Sequence, residues 1–341
     1  MKKKIIIFAI DILLSVIFLT IFGIFYYIIP QTQESLNIQS IITSNSSVAS
    51  AASITPDATE KTNGNSNALT TSTKSSKGRT KNRTVASEES ANTNLTTAVE
   101  NIANYEENGV KINIQTFLTE DEKVEYIVSD IVVDDVQKIK TYMANDTYGS
   151  RYVDSVPNMS NAVNAIFAVN GDYYGNSTSG IVARNGIIYR ANPTSQDILT
   201  LYTDGSMEIK NYSSFNTQEE ANKGLWQAWT FGPSLLDADG KALTSFQTSG
   251  HMSSKNPRTV IGYYGPNHYA ILVVNGRGTS EGLTLNDLAK LCENLGFKIA
   301  YNLDGGKSSV LIYDDAIINT PPQGGREISD IIYIAKENTN D

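Results

Sequence analysis

A single carboxylate, Asp304, stands in the run Tyr301-Asn302-Leu303-Asp304-Gly305-Gly306-Lys307-Ser308, between an apolar, strand-like stretch and two consecutive glycines. Paired glycines permit positive φ and a close backbone approach, so Asp304 and the N–H groups after it can face one small anionic or hydroxylated ligand. A hairpin with Asp-Gly at its corner would use the same residues. A second carboxylate turn has the same build. Ala165 to Val169 is apolar and ends in Asn170-Gly171-Asp172-Tyr173-Tyr174-Gly175, where the tyrosines could stack on a sugar ring or simply pack in a tight turn. Arg258 opens another apolar run, Arg277 follows Asn275-Gly276, and Arg326-Glu327 precedes Ile328 to Ile334. Singly, such arginines read as solvated or ion-paired strand ends; as a group they offer planar donors for a phosphate. No cofactor is expected. The one cation this residue set could hold is an oxygen-ligated Ca2+ or Mg2+ at Asn170, Asp172 and Asp304.

Composition removes other chemistries. The 341 residues include two histidines, His251 and His268, and one cysteine, Cys292, so neither a closed Cys/His zinc site nor an internal disulfide can form within the chain. Cys292 falls on the stripe Leu285, Leu288, Ala289, Cys292, Leu295 and reads as core. Gly-x-Ser-x-Gly is absent, and Gly306-Lys307-Ser308 imitates the end of a P-loop but has Tyr301 where that loop needs its first glycine. Carboxylates, arginines, amides, hydroxyls and backbone donors remain.

The elements that must position these groups read as α+β: a mixed, strand-rich domain with a few helices. Hairpins are expected over 110–133 around an acidic turn, over 181–189 at Asn185-Gly186 and over 198–210 at Asp204-Gly205. Helices are expected over 134–145, 158–165, 218–224 and 284–295. In the last, Thr284 and Asp287 have capping-box spacing and Gly296 closes the stripe. With strands 270–274 and 298–303 it reads as a β-helix-β unit, which makes part of the sheet parallel and brings Asn275-Gly276-Arg277 and Asp304-Gly305-Gly306 to the carboxyl ends of neighbouring strands.

The amino-terminal third has a different composition. Lys2, Lys3 and Lys4 precede Ile5 to Ile29, an apolar run interrupted only by Asp11, which predicts an uncleaved transmembrane anchor over residues 1–29 with its basic end cytoplasmic. Residues 30–104, dense in Ser, Thr, Asn and Ala, cannot bury enough apolar surface to offset ordering entropy and read as a disordered linker. Residues 105–341 then form one domain outside the cell membrane. That domain keeps 18 of the chain's 27 basic and 29 of its 36 acidic residues, a net of −11, which argues against nucleic-acid partners and requires a local arginine cluster for any anionic substrate.

Taken in order, Ala168-Val169-Asn170-Gly171-Asp172-Tyr173-Tyr174, Arg258-Thr259-Val260-Ile261-Gly262, Asn275-Gly276-Arg277 with its following helix, Asn302-Leu303-Asp304-Gly305-Gly306-Lys307-Ser308-Ser309 and Arg326-Glu327-Ile328 resemble the phosphodiester glycosidase family over roughly residues 150–336. The resemblance implies a hydrolase that cleaves a sugar phosphodiester at the anomeric carbon, with an N-acetylglucosamine-like substrate in a surface glycan or exopolysaccharide. Such chemistry needs an oxocarbenium-stabilising carboxylate, a base or nucleophile, and cations on the departing phosphate. Asp304 and Asp172, with Glu327 in reserve, are the expected carboxylates; Arg258, Arg277 and Arg326 are the expected phosphate ligands, helped by Gly305, Gly306, Lys307 and Ser308, with Asn170 and Tyr173 on the sugar. The chain departs from the family at Asn275, where Asp is usual, and at Lys307, where a small residue is usual. A teichoic-acid-type phosphodiesterase and a non-catalytic glycopolymer-binding or assembly module remain as alternatives.

Overall fold

Strands, many of them buried on both faces, dominate the chain from Ala98 onward. The computed structural model of the protein describes residues 13–22, 31–32, 36–37, 98–248 and 250–336. Sheet I is built from Ala98–Glu107 (β1), Val110–Leu118 (β2) and Glu125–Val133 (β3), joined later in the chain by Arg258–Gly265, His268–Val274 and Ile299–Asn302. Lys140–Met143 (β4) and Ala165–Asn170 (β5) belong to sheet III. Sheet II comprises Gly180–Arg184 (β6), Ile187–Asn192 (β7), Ile198–Tyr202 (β8), Met207–Lys210 (β9) and Leu225–Trp229 (β10). The later strands of sheet I are numbered β11, β12 and β13 in the order given above. Leu311–Tyr313 (β14), Ala316–Ile317 (β15) and Asp330–Ala335 (β16) complete sheet III. The three orders are β13-β11-β12-β3-β2-β1, β9-β8-β10-β6-β7 with Leu36–Asn37 beyond β7, and β15-β14-β5-β16-β4. All three expected hairpins form.

The inner strands of sheet I are apolar on both faces because both faces are covered. Ile127, Ile261, Ile271 and Tyr301 enter a central core shared with Phe167 of sheet III and Trp229 of sheet II. Their neighbours Val128, Val260, Leu272 and Ala300 turn the other way, onto the helix Leu285–Asn294. That helix starts as expected: the Thr284 hydroxyl accepts from the Asp287 N–H, and Leu285, Leu288, Ala289 and Cys292 are buried. Burial also pushes the Cys292 thiol well above its usual range, consistent with a core residue. Helices Val156–Ala162 and Thr217–Asn222 lie within a few residues of their expected positions.

Two expectations are corrected. Every strand pairing is antiparallel among the described residues, so the β-helix-β unit does not make a parallel pair. The hairpin partner of β12, β11, occupies the place between β12 and β13, hydrogen-bonding to both and leaving them parallel to each other but not adjacent. The helix expected over 134–145 is instead two 3-10 segments, Val136–Lys138 and Ala144–Asp146, on either side of β4, whose alternating Thr141 and Met143 are buried against sheet II and sheet III partners. Period-two burial overrides the helical reading there.

The linker read over 30–104 ends in β1, which starts at Ala98, and two of its dipeptides, Gln31–Thr32 and Leu36–Asn37, pair with Gly149–Ser150 and with β7. Most of that segment, and most of the apolar run before it, lies outside the described residues. Residues 13–22 are helical with exposed apolar side chains, and among the described residues no helix is long and apolar enough to cross a membrane.

Sheets II and III are locked together by a buried cation. Arg184, at the end of β6, donates from Nη2 to Asp172 Oδ1 at 2.8 Å and from Nε to Asp330 Oδ2 at 2.7 Å, with all three side chains almost fully buried. Burial and the Asp172 charge push the Asp330 carboxyl upward, opposed by Arg184. Removing the cation would leave two buried carboxylates face to face. Arg184→Met should therefore cost roughly 3–5 kcal/mol in urea denaturation, the range for breaking a buried pair from one side.

Candidate active site

The split arrangement of sheet I decides where the chemistry sits. Because β12 and β13 both run against β11, the carboxyl ends of the first two and the amino end of the third meet at one edge. That edge carries Arg258, Asn275 to Arg277, and Asn302 to Asp304. The backbone of Asn256-Pro257 runs through it under glycines. A Cβ on Gly305 would lie 2.7 Å from the Pro257 carbonyl oxygen, one on Gly276 would lie 2.9 Å from Pro257 N, and one on Gly282 would lie 2.6 Å from Asn256 C. Gly306, at φ +66°, donates its N–H to the same Pro257 carbonyl at 3.0 Å. The Asp304 turn is no hairpin: β14, the next strand, pairs with β5 in sheet III, so the chain crosses between sheets here.

A cleft of about 520 Å³ opens at this edge, lined by Asp304, Gly305, Gly306, Lys307, Arg258, Arg277 and Arg326 among others. The carboxylate of Asp304 is nearly buried. Ser308 donates to its Oδ2, and Arg326 bridges Asp304 Oδ2 through Nη2 and Ser308 Oγ through Nε. Tyr173 supports Arg326 from behind, with the guanidinium carbon 4.7 Å from the ring centroid. Asn170 donates to the Asp304 carbonyl at 2.7 Å and accepts from Thr259 Oγ1 at 2.9 Å, fixing the turn from below. Burial raises the Asp304 carboxyl, against the opposing pull of Ser308 and Arg326.

Arg258 is buried without a carboxylate partner among the described residues. Its guanidinium is held by carbonyls: Nε donates to Leu283 O at 3.0 Å, and Nη2 to Met252 O at 2.6 Å and Ser254 O at 2.8 Å. Burial, then the nearby Arg277 charge, pulls its pKa down to about 10, which leaves it cationic at neutral pH. Arg277, at φ +61°, reaches Asn256 Oδ1 with Nε and Nη2. The Lys307 ammonium donates to Gln323 Oε1.

The other sequence candidates lie elsewhere. Asp172 is held inside by Arg184 and by the Thr230 N–H at 2.9 Å, and it does not line the cleft. Neither does Glu327, which is exposed. Ser308 stands behind Asp304 with its side chain buried, and Tyr173 stands behind Arg326. Of the amides after Asp304, those of Gly306 and Ser308 are used by Pro257 O and Gly305 O, so they do not face the cleft as a continuous anion nest. The oxygen-only cation set is not assembled, because Asn170 binds backbone and Asp172 binds Arg184.

Several cleft residues escape the sequence reading. Asn256 orients Arg277, and Phe231 and Met252 supply apolar wall. Asn302 donates to Gly232 O at 2.9 Å while its Oδ1, buried, has no hydrogen-bond partner. Its place two residues before Asp304 on an alternating strand is the signal that could have marked it.

Asn275 carries the departure from the family pattern, and its surroundings account for it. Its amide donates to Glu125 Oε1, while its Oδ1 accepts from the Thr320 N–H at 3.0 Å. An aspartate would lose the donor and meet a second carboxylate. Asn275→Asp should accordingly lower the melting temperature, and Glu125→Gln should restore most of the loss; additive effects in that double-mutant cycle would refute the pairing.

A family model described as phosphodiester glycosidase matches residues 163–335. No curated protein sequence matches the chain. Among solved structures, the catalytic domain of zebrafish N-acetylglucosamine-1-phosphodiester alpha-N-acetylglucosaminidase, auto-inhibited by its pro-peptide, superposes with a TM-score of 0.54 at 17% identity, covering 71% of this chain and 88% of that one. A hypothetical protein from Synechocystis gives a TM-score of 0.46 at 12% identity, covering 66% of this chain and 62% of that one. The family match spans β5 to β16, the Asp304 turn and all three cleft arginines, and by it the chain belongs to the phosphodiester glycosidase family.

Proposed function

We propose that the cleft hydrolyses a phosphodiester at the anomeric carbon of a sugar, in a surface glycan or exopolysaccharide with an N-acetylglucosamine-like residue. The observation that carries this reading is the local charge: Arg258, Arg277, Arg326 and Lys307 surround one buried carboxylate in a domain that is otherwise strongly acidic. Arg326 is committed to Asp304, whereas Arg258 and Arg277 are held by neutral oxygens and keep their charge available for a phosphate.

Departure of a phosphate monoester needs little proton donation, which relaxes the usual requirement for two carboxylates. Among the described residues Asp304 is the only carboxylate lining the cleft, and it is placed to stabilise positive charge at the anomeric carbon or to direct a water. The same single carboxylate also favours a second reading, cleavage of the P–O bond of a teichoic-acid-type polymer. Hydrolysis in heavy-oxygen water separates the two: label enters the sugar in the first and phosphate in the second.

The raised Asp304 carboxyl links activity to stability. Folding favours its protonated form, so that stabilisation is full below the unfolded-state pKa and is lost as pH rises through the folded-state value. Asp304→Asn should thus keep or raise the melting temperature at neutral pH while cutting turnover of a chromogenic sugar phosphodiester at least ~100-fold. Arg258→Lys should also be damaging, because a point charge cannot reproduce the carbonyl-held fork. Near-parental rates in both variants would remove the assignment.

The apolar run behind Lys2 to Lys4 supports placing the protein in the cell membrane, with the domain outside. Membrane fractionation and protease added to intact or wall-stripped cells should show an anchored protein whose domain is released; a soluble mature form starting past the apolar run would mean cleavage instead.

A further inference from the structure

Away from the cleft, a groove of about 420 Å³ opens where sheets II and III meet. Tyr142 on β4, Tyr189 on β7 and Tyr333 on β16 stand half-buried around it, and Tyr148 lies buried at its base. The Tyr148 ring packs against Tyr189, with centroids 4.8 Å apart, and stacks on Tyr174 at 5.2 Å. Its hydroxyl is buried, with the Arg190 guanidinium beside it. Asp146 stands exposed at the rim, on two successive left-handed residues, Asn145 at φ +58° and Asp146 at φ +51°. Its charge reaches the Tyr189 and Tyr333 phenols, and no cation pairs with it among the described residues.

The free chemistry of this groove is narrow. Asn185 is spent on Thr141 and Gln227, at 2.9 Å from Thr141 N, 2.7 Å to Thr141 O and 2.8 Å from Gln227 Nε2. The Thr147 hydroxyl donates to Asn145 O at 2.9 Å, and Arg184 is divided between Asp172 and Asp330. A pyranose would need several free amide or guanidinium partners for its hydroxyls, and these are already used. What remains is aromatic surface, phenolic oxygen and one exposed carboxylate with no ion-pair partner among the described residues, above the buried Asp172, Asp330 and Arg184 group, with Arg190 beside Tyr148. Ring faces and negative charge together attract a weakly hydrated cation. We infer that this groove binds an organic ammonium group, with the tyrosines as its walls and Asp146 as its counter-charge. The inference does not depend on what the cleft does.

The test uses the full chain in a neutral detergent, with tyrosine ring NMR shifts followed during titration by choline, ethanolamine, the uncharged carbon analogue of choline, and N-acetylglucosamine. Choline or ethanolamine should saturate the shifts of the groove tyrosines, and the uncharged analogue should bind about tenfold more weakly or not at all. Choline ahead of ethanolamine identifies an alkylated ammonium; the reverse order identifies a primary amine. Asp146→Asn, an exposed change, should weaken binding roughly tenfold with cleft turnover and melting temperature unchanged, and Tyr189→Leu should weaken it comparably with cleft turnover unchanged. Equal affinity for the uncharged analogue, tighter binding of N-acetylglucosamine, parental affinity in Asp146→Asn, or no saturation by either ammonium probe would each overturn it.

Discussion

The position of Asp304 depends on how closely three backbone segments can approach one another. Gly276, Gly282 and Gly305 press on Asn256-Pro257 from different sides, and a methyl group at any of them would meet main-chain atoms inside 3.0 Å. Main chain cannot yield as a flexible side chain can, so the strand ends would have to separate. The Pro257 carbonyl, which accepts from Gly306, would move with them, and with it the carboxylate and the three guanidinium groups around it. The cleft is thus shaped mostly by backbone, and its charged side chains are mounted on a frame with little freedom.

Two acidic turns of similar sequence meet opposite fates for a topological reason. Asp304 ends a strand of sheet I at the open edge, whereas Asp172 follows β5 in the middle of sheet III, with β14 and β16 on either side. Gly171 donates to the Asp330 carbonyl at 2.9 Å, which turns the next residue inward to Arg184. A carboxylate in that place is neutralised before any ligand could reach it.

Much of the architecture was legible in local pattern. Asn185-Gly186 and Asp204-Gly205 announced their hairpins, and Thr284 with Gly296 framed the helix. What local pattern could not carry was the partner of each strand. β11 between β12 and β13 depends on a hairpin winning over a crossover, a contest settled by long-range pairing. The site divides in the same way: Asp304, Arg258, Arg277 and Arg326 announced themselves by type, but Asn256, Asn302 and Phe231 are ordinary residues whose role comes from where the fold carries them. Asn170 and Tyr173, expected at the ligand, hold Asp304 and Arg326 in place.

Arg258 has a further consequence. A cation held by main-chain carbonyls has no acidic partner that can be protonated away, so its orientation is indifferent to the titration of every carboxylate in the molecule. Its own pKa is about 10, so it stays cationic at neutral and acidic pH. An anionic ligand anchored on Arg258 would therefore be held by a charge that no neighbouring carboxylate controls. Acidification would leave that anchor in place, which a carboxylate-paired arginine could not guarantee.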